Sequence, residues 1–336
     1  TGPKNFLRRL FEKRNYDNFF NDILEPLFYE ALAKERDGDY YSRFDCKIPF
    51  LNGGLFDPLD DYDWVHADIL LPNELFSNLE KTKEGDTGTG ILDILDRYNF
   101  TVKEDEPLER EVAVDPEMLG KVFENLLEVK DRKSKGTYYT PRGIVHYMCR
   151  ESLISHLGSE LVKAGKDLFV VDRKDIETFI RFGELASEND LRVSKEGRET
   201  GTYFYKMPES IRNNAVLIDS ILADMKICDP AVGSGAFLVG MMTEVVKARQ
   251  VLTTYAGAGR ERSPYNFKRH AIRNSLYGVD IDPGAVEIAK LRLWLSLIVD
   301  EEDIKDIRPL PNLDYKIMQG DSLMEEFEGV RLFDER

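Results

Sequence analysis

The chain has 336 residues, with 62 acidic against 46 basic side chains and a net charge of −16. At 42% hydrophobic and 32% charged residues it has the material for two or so packed domains, which excludes a disordered tail. No stretch approaches the ~20 apolar residues of a membrane span and no charged-then-apolar leader opens the sequence, so the expectation is a soluble, cytoplasmic protein.

Cys46, Cys149 and Cys228 lie far apart and form no CxxC pair, so neither a disulfide framework nor a cysteine-rich zinc site is expected. The histidines show no HExxH spacing, which leaves a metal without a candidate. The acidity of the chain opposes contact with phosphate backbones. Any DNA contact would need a local basic surface or parts of a protein beyond this sequence.

The first hundred or so residues read as mainly helical. Phe6, Leu7, Leu10 and Phe11 recur at helical spacing, as do Phe19, Phe20, Ile23 and Leu24. A turn-rich passage follows at Ile48–Phe56, and Lys83–Gly90 has the composition of a flexible loop. A helix is expected from Asp115, with Pro116 at its first position and Met118, Leu119, Val122, Phe123, Leu126 and Leu127 on one face. Asp115 followed by Glu128-Val129-Lys130 superficially matches the D…ExK pattern of Mg²⁺-dependent nucleases. Those carboxylates must converge from a turn and a strand, and the helical period here argues for a structural role.

The basic run Lys130–Gly136 leads into Thr137-Tyr138-Tyr139-Thr140-Pro141 and a helix from about Arg142 to Leu157. Residues 158 to about 215 are polar and read as an inserted helical or irregular segment. From Ile221 onward strand, glycine loop and helix alternate, the pattern of a parallel α/β sheet.

Three strand ends carry the chemistry. Lys226-Ile227-Cys228-Asp229 reads as a short strand, and Pro230-Ala231-Val232-Gly233-Ser234-Gly235-Ala236-Phe237 as a tight glycine turn opening a helix. Glycines there let backbone approach a ligand at the carboxyl end of a strand. Leu276–Asp280 is a second strand; its tip carboxylate could accept hydrogen bonds from both hydroxyls of a ribose. Asp282 precedes Pro283 and is better explained as a helix cap. A third strand, Tyr315–Met318, ends in Gln319-Gly320-Asp321-Ser322-Leu323, where an acid could accept from an adenine amino group with Leu323 near the ring. Each acid alone is weak evidence; three in succession are specific.

DPAVGSGAF, YGVDIDP, QGDSL and the upstream GTYYTPRGIVHYM resemble motifs I, II, III and X of N6-adenine DNA methyltransferases of the gamma arrangement. The resemblance is nearer to type IIG restriction–modification enzymes, which fuse endonuclease, helical connector, methyltransferase and target-recognition parts. It covers about Gly136 to Leu323, interrupted at 158–215, and IPFLNGGLF and VDPEMLGKVFENLL resemble the connector less specifically. The implied fold is α/β, a partial Rossmann-like class I methyltransferase fold over residues 131–336, preceded by an α-helical connector over 1–130.

The resemblance implies S-adenosyl-L-methionine as cofactor and double-stranded DNA as partner. Carried over residue by residue, Tyr139, Thr140 and Pro141 would line the methionine end of the cofactor, with Tyr138 a further candidate. Asp229, Ala231, Gly233 and Gly235 would surround the same end, followed by Phe237. Asp280, with Ile281 beside it, would hold the ribose. Asp321, with Ser322 and Leu323, would meet the adenine.

Such enzymes also need an NPPY-type motif after a fourth strand to receive the flipped adenine, and no NPPY, DPPY or NPPF occurs in the sequence. The expectation is therefore a fragment of a longer enzyme that by itself does not methylate DNA and holds no catalytic residue. Two other classes compete: a non-catalytic DNA-binding or assembly module of the same fold, and an NAD-dependent oxidoreductase. The oxidoreductase fingerprint needs GxGxxG with an acid about 20 residues on. Here the next glycine after Gly235 is Gly240, and the acid of the second strand, Asp280, comes much later. A related methyltransferase acting on protein glutamine or RNA would keep the cofactor and change the substrate.

Overall fold

The computed structural model describes residues 5–52, 54–57, 62–97, 99–101, 111–113, 140–164, 171–197, 204–257, 262–298, 309, 311–327 and 330–331. The helix expected from Asp115, the D…ExK pattern, the basic run Lys130–Gly136, Tyr138 and Tyr139 lie outside the described residues. By its contacts the chain divides into two compact units. One comprises Thr1–Asp115 with Glu301–Asn312, the other Pro116–Asp300 with Leu313–Arg336.

In the first unit, helix α1 (Phe6–Glu12) and two π-helical turns, Phe20–Leu24 and Leu27–Leu32, bury Leu10, Phe19, Ile23, Leu24, Leu27 and Ala31. A small antiparallel ribbon, β1 (Tyr40–Tyr41) with β2 (Cys46–Lys47), brings Tyr41 and Phe44 to that core. Helix α2 (Ile91–Arg97) adds Leu92. Arg8 ties α1 to α2 by donating to Asp93 Oδ1 at 2.7 Å and to Asp96. Strands β3 (Asn99–Thr101) and β4 (Glu111–Ala113) pair in parallel.

The expectation of a mainly helical N-terminal part holds for these helices and turns, but the described residues between 33 and 90 are mostly irregular. Side chains explain the difference, because they take over backbone hydrogen bonds that a helix would otherwise make. Asn52 Oδ1 accepts from the N–H groups of Gly54 and Phe56, at 3.0 and 3.2 Å. Asp93 Oδ2 accepts from those of Asn78 and Gly90, at 3.0 and 3.1 Å.

The second unit opens with α3 (Arg142–Lys163), which buries Val145, Cys149, Leu153, Leu157 and Leu161 at intervals of four and so continues past Leu157. Helix α4 (Arg173–Glu196) fills much of the stretch read as an insertion. Asp172 caps it by accepting from the Asp175 N–H at 2.8 Å, and Gly197, at φ +69°, closes it in the left-handed region. Buried Ile176, Phe179 and Ala186 form its apolar stripe, so the segment is an amphipathic packing element and not an irregular one. Helices α5 (Glu209–Asn213) and α6 (Ala215–Asp224) follow.

Strand β5 (Ile227–Asp229), α7 (Ala236–Ala256), α8 (Pro264–Asn274), β6 (Leu276–Asp280), α9 (Pro283–Ile298) and β7 (Ile317–Gln319) complete the alternation. The three strands form one sheet in the order β5-β6-β7, parallel throughout, with Asp229 opposite Gly278 and Asp280 opposite Gln319. Helix α8 was not foreseen, although Ser263 caps it with Pro264 in its first turn. Strand β7 starts two residues later than expected. The N–H groups of Lys316 and Ile317 both turn back to the Leu313 carbonyl, and Tyr315 is left 84% exposed. A short antiparallel ribbon, β8 (Glu326–Phe327) with β9 (Val330–Arg331), follows.

The core of this unit is built from Leu153 and Leu157 of α3, Leu238, Met242 and Leu252 of α7, Ile272 of α8, Trp294 of α9 and strand residues Leu276 and Ile317. Each such side chain contributes about 1.5–3 kcal/mol by leaving water. Helices α3 and α7 approach closely at Gly240, where a Cβ would stand 2.6 Å from Val145 Cγ1. Among the described residues, no helix is long and apolar enough to cross a membrane.

Candidate functional site at the strand tips

Strand β5 ends at Asp229, and the backbone turns through Pro230–Gly235 into α7. The turn is fixed by its own peptide groups: Val232 N–H donates to the Val279 carbonyl at 2.9 Å and Gly235 N–H to the Val232 carbonyl at 2.8 Å. Gly233 and Gly235, at φ +50° and +81°, occupy the left-handed region where a side chain is strained. At Gly235 space matters as well, since a Cβ would lie 3.0 Å from the Ala289 Cβ of α9. Around Gly233 a Cβ would meet nothing within 4 Å, so the turn faces open space there.

The tip of β6 is bonded to this turn. Asp280 Oδ2 accepts from the Gly233 N–H at 2.7 Å, and its Oδ1 from the Asp282 N–H at 3.0 Å. Asp229 Oδ1 accepts from the Ala231 N–H at 3.1 Å. Burial pushes the Asp229 carboxyl above the usual carboxylate range, and the nearby Asp280 charge adds to this, against the opposing Ala231 hydrogen bond. At the third tip, Gly320 N–H donates to the Asp280 carbonyl at 2.9 Å. Asp321 Oδ1 accepts from the Leu323 N–H at 3.0 Å, and Ser322 Oγ donates to the Pro230 carbonyl at 2.6 Å. Hydrogen bonds thus join the three loops, and Ile281 and Leu323 stand 66% and 86% exposed on two of them.

The structure therefore brings Asp229, Ala231, Gly233, Gly235, Asp280, Ile281, Asp321, Ser322 and Leu323 to one end of the sheet. Phe237 is half-buried in the first turn of α7. Thr140 and Pro141 are exposed just ahead of α3, whose Cys149 Sγ meets the Phe237 carbonyl at 3.8 Å. Asp282 is a cap, accepting from the Gly284 N–H at 2.9 Å.

Two features escaped the sequence reading. Arg292 of α9 is fully buried and donates through Nη1 to the Ser234 carbonyl at 2.6 Å and to Ser234 Oγ at 3.1 Å, holding the glycine turn from the helix side. An arginine inside the apolar run Leu291–Leu297 was the available signal. The second is Glu244 of α7, 3% exposed, which receives His146 Nδ1 at 2.6 Å and Arg150 Nε at 2.9 Å from α3. Burial pushes this carboxyl up; the hydrogen bonds from His146 and Arg150 outweigh it and hold the group below its ordinary value.

Residues 274–335, which carry β6, α9 and β7, match the family model of the Eco57I restriction-modification methylase. Along nearly its whole length the chain is also similar to a protein of Methanocaldococcus jannaschii named "Putative type II restriction enzyme and methyltransferase". The two are 33% identical over 343 aligned positions, which cover 96% of this chain and 25% of that relative. The chain thus spans about a quarter of the length of the curated relative it matches. Both similarities are to restriction–modification methyltransferases, the resemblance carried by the motifs.

Proposed function

We propose that this chain is the S-adenosyl-L-methionine-binding portion of a site-specific DNA methyltransferase. In this reading the full enzyme acts on adenine N6 in double-stranded DNA and is of the type IIG arrangement. The second unit is then the first part of a Rossmann-like class I fold, and the N-terminal residues serve as its helical connector. One observation carries the reading: the carboxylate at the second strand tip is bonded to the glycine turn after the first, which sets a ribose acceptor beside a backbone cradle.

The residues present fit the cofactor's chemistry. Each Asp280 oxygen receives one backbone N–H and keeps a further acceptor site, so both ribose hydroxyls can still donate to it. Open space at Gly233 leaves room for close approach of the methionine portion, and Asp229 supplies a carboxylate for its ammonium group. Asp321 accepts from the adenine amino group, with Leu323 and Ile281 offering apolar surface to the ring. Tyr138, Tyr139, Thr140 and Pro141 close the methionine end by family resemblance. When bound, the cofactor supplies a methyl group activated on a sulfonium.

The chain's own contribution is binding and orientation. Arg292 and Asp280 fix the turn before the ligand arrives, so little ordering remains to oppose binding. An NPPY-type acceptor set for the target amine is not in this sequence, so this chain alone is expected to bind cofactor without transferring its methyl group. Calorimetric titration with S-adenosylmethionine and, separately, NAD tests the reading. Saturable binding of the sulfonium cofactor alone is expected. Preference for NAD, or no adenosyl ligand bound by a folded chain, would overturn it.

A further inference from the structure

We infer that the chain carries a DNA-backbone contact of its own, a basic cleft where α3, α4 and α7 meet. The inference rests on the reading of the partner as duplex DNA. The cleft encloses about 420 Å³. Arg142, His146 and Arg150 line it from α3, one helical turn apart on one face, with Arg181 from α4 and Lys247 from α7.

In a chain of net charge −16 such a lining is out of proportion to composition. Four permanent cations are concentrated there, and among the described residues Glu244 and Glu151 are carboxylates that meet them, each orienting its partner. Glu244 lies buried beneath, where it takes Arg150 Nε and His146 Nδ1. Arg142 Nε lies 3.4 Å from His146 Nε2, on the ring edge away from Glu244. Glu151 receives Arg181 and, at 3.7 Å, Arg173, a further cation on α4. These two carboxylates thus work as struts, and among the described residues that line or meet the cleft the cations outnumber the carboxylates. The positive end of the α3 dipole lies at the same place.

Extent and composition select a polymer over a free anion. Arg142 and Arg150 are eight residues apart, about 12 Å along the helix, or roughly three to four nucleotide steps of one strand at ~3.4 Å each. Tyr147 lines the same cleft and is 59% exposed, with Ile144 and Met148 exposed beside it on α3. Cations interleaved with an aromatic suit a nucleic acid, which offers both phosphate and sugar or base surface.

The test is fluorescence anisotropy of a labelled duplex with the full chain, titrated from about 50 to about 200 mM salt. It is repeated with Arg181→Gln/Lys247→Gln and with Lys247→Arg, and each preparation is also titrated with S-adenosylmethionine by calorimetry. The double variant is expected to bind DNA at least ~10-fold more weakly at low salt. Its slope of log affinity against log salt should be shallower by about 2, from two lost phosphate contacts at ~0.9 each. Lys247→Arg should retain both values, and cofactor binding should be unchanged throughout. Unaltered DNA affinity and slope in a folded double variant would overturn the inference and leave the cofactor reading standing. So would DNA binding too weak to detect in the unaltered chain, or inorganic phosphate binding in the cleft without DNA binding. Loss of S-adenosylmethionine binding by the unaltered chain, with the DNA effect intact, would instead strike the proposed function.

Discussion

The two aspartates near the second strand tip separate a ligand role from a structural one. Asp280→Ala removes a carboxylate that accepts from Gly233 and Asp282 and, in the proposed function, from two ribose hydroxyls. A hydrogen bond to a charged group contributes about 1.5–3 kcal/mol, so losing the two ribose bonds should weaken binding by about 3–6 kcal/mol. That is roughly a 10²- to 10⁴-fold rise in the Kd for S-adenosylmethionine. Loss of the two backbone acceptors should lower stability too, by about 1–3 kcal/mol, since two N–H groups lose their partner. Asp282→Ala removes the α9 cap, at a cost of about 0.5–2 kcal/mol, and should leave cofactor affinity within about threefold. Calorimetry on both variants, with thermal melts to correct for unfolding, decides. Equal affinity losses in the two variants, or no loss in Asp280→Ala, would refute the assignment of the ribose to Asp280.

Two further outcomes depend on buried carboxyls. Glu244→Ala should cost about 2–3 kcal/mol by melting at neutral pH, toward or below the low end for a broken buried pair because Arg150 is partly exposed. The Glu244 carboxyl is held below its ordinary value, so its stabilisation is present above the unfolded value of about 4.3 and is lost as pH falls through the folded one. The gap between the two proteins should therefore close on acidification. Asp229 is shifted the opposite way. Its ionised form costs stability at neutral pH, and that cost disappears as pH falls through its raised folded value. Asp229→Asn keeps an oxygen for the Ala231 N–H, so it should raise the Tm at pH 7, with the gain gone below about pH 4; a lower Tm at neutral pH would contradict the shift.

The sequence made the sheet legible where apolar runs end in acids and glycines. Strand β6 has the bounds expected for it, and the turn from Asp229 to Gly235 lies where the glycines required it. The cap at Asp282 could be read because it depends on residues two apart. Less legible were elements governed by distant partners. The charge on residues 173–196 hid the Ile176–Phe179–Ala186 stripe, whose apolar positions gain meaning only when α3 and α7 lie against them. Nothing near His146 announces Glu244, 98 residues away. In the N-terminal unit, the helical spacing of its phenylalanines did not reveal that asparagine and aspartate side chains would satisfy so much of the following backbone.

The glycine turn is tethered on two sides, to Asp280 of β6 and to Arg292 of α9. Its release would mean parting a strand tip and a buried arginine from it together, a sub-global opening rather than the fraying of a loop. The Gly233 amide should therefore exchange with solvent deuterium on the slow timescale of the surrounding core, despite its place in a glycine-rich segment. A ligand seated there would be expected to slow exchange along α9 as well as in the turn, so that occupancy registers in a helix that need not touch it.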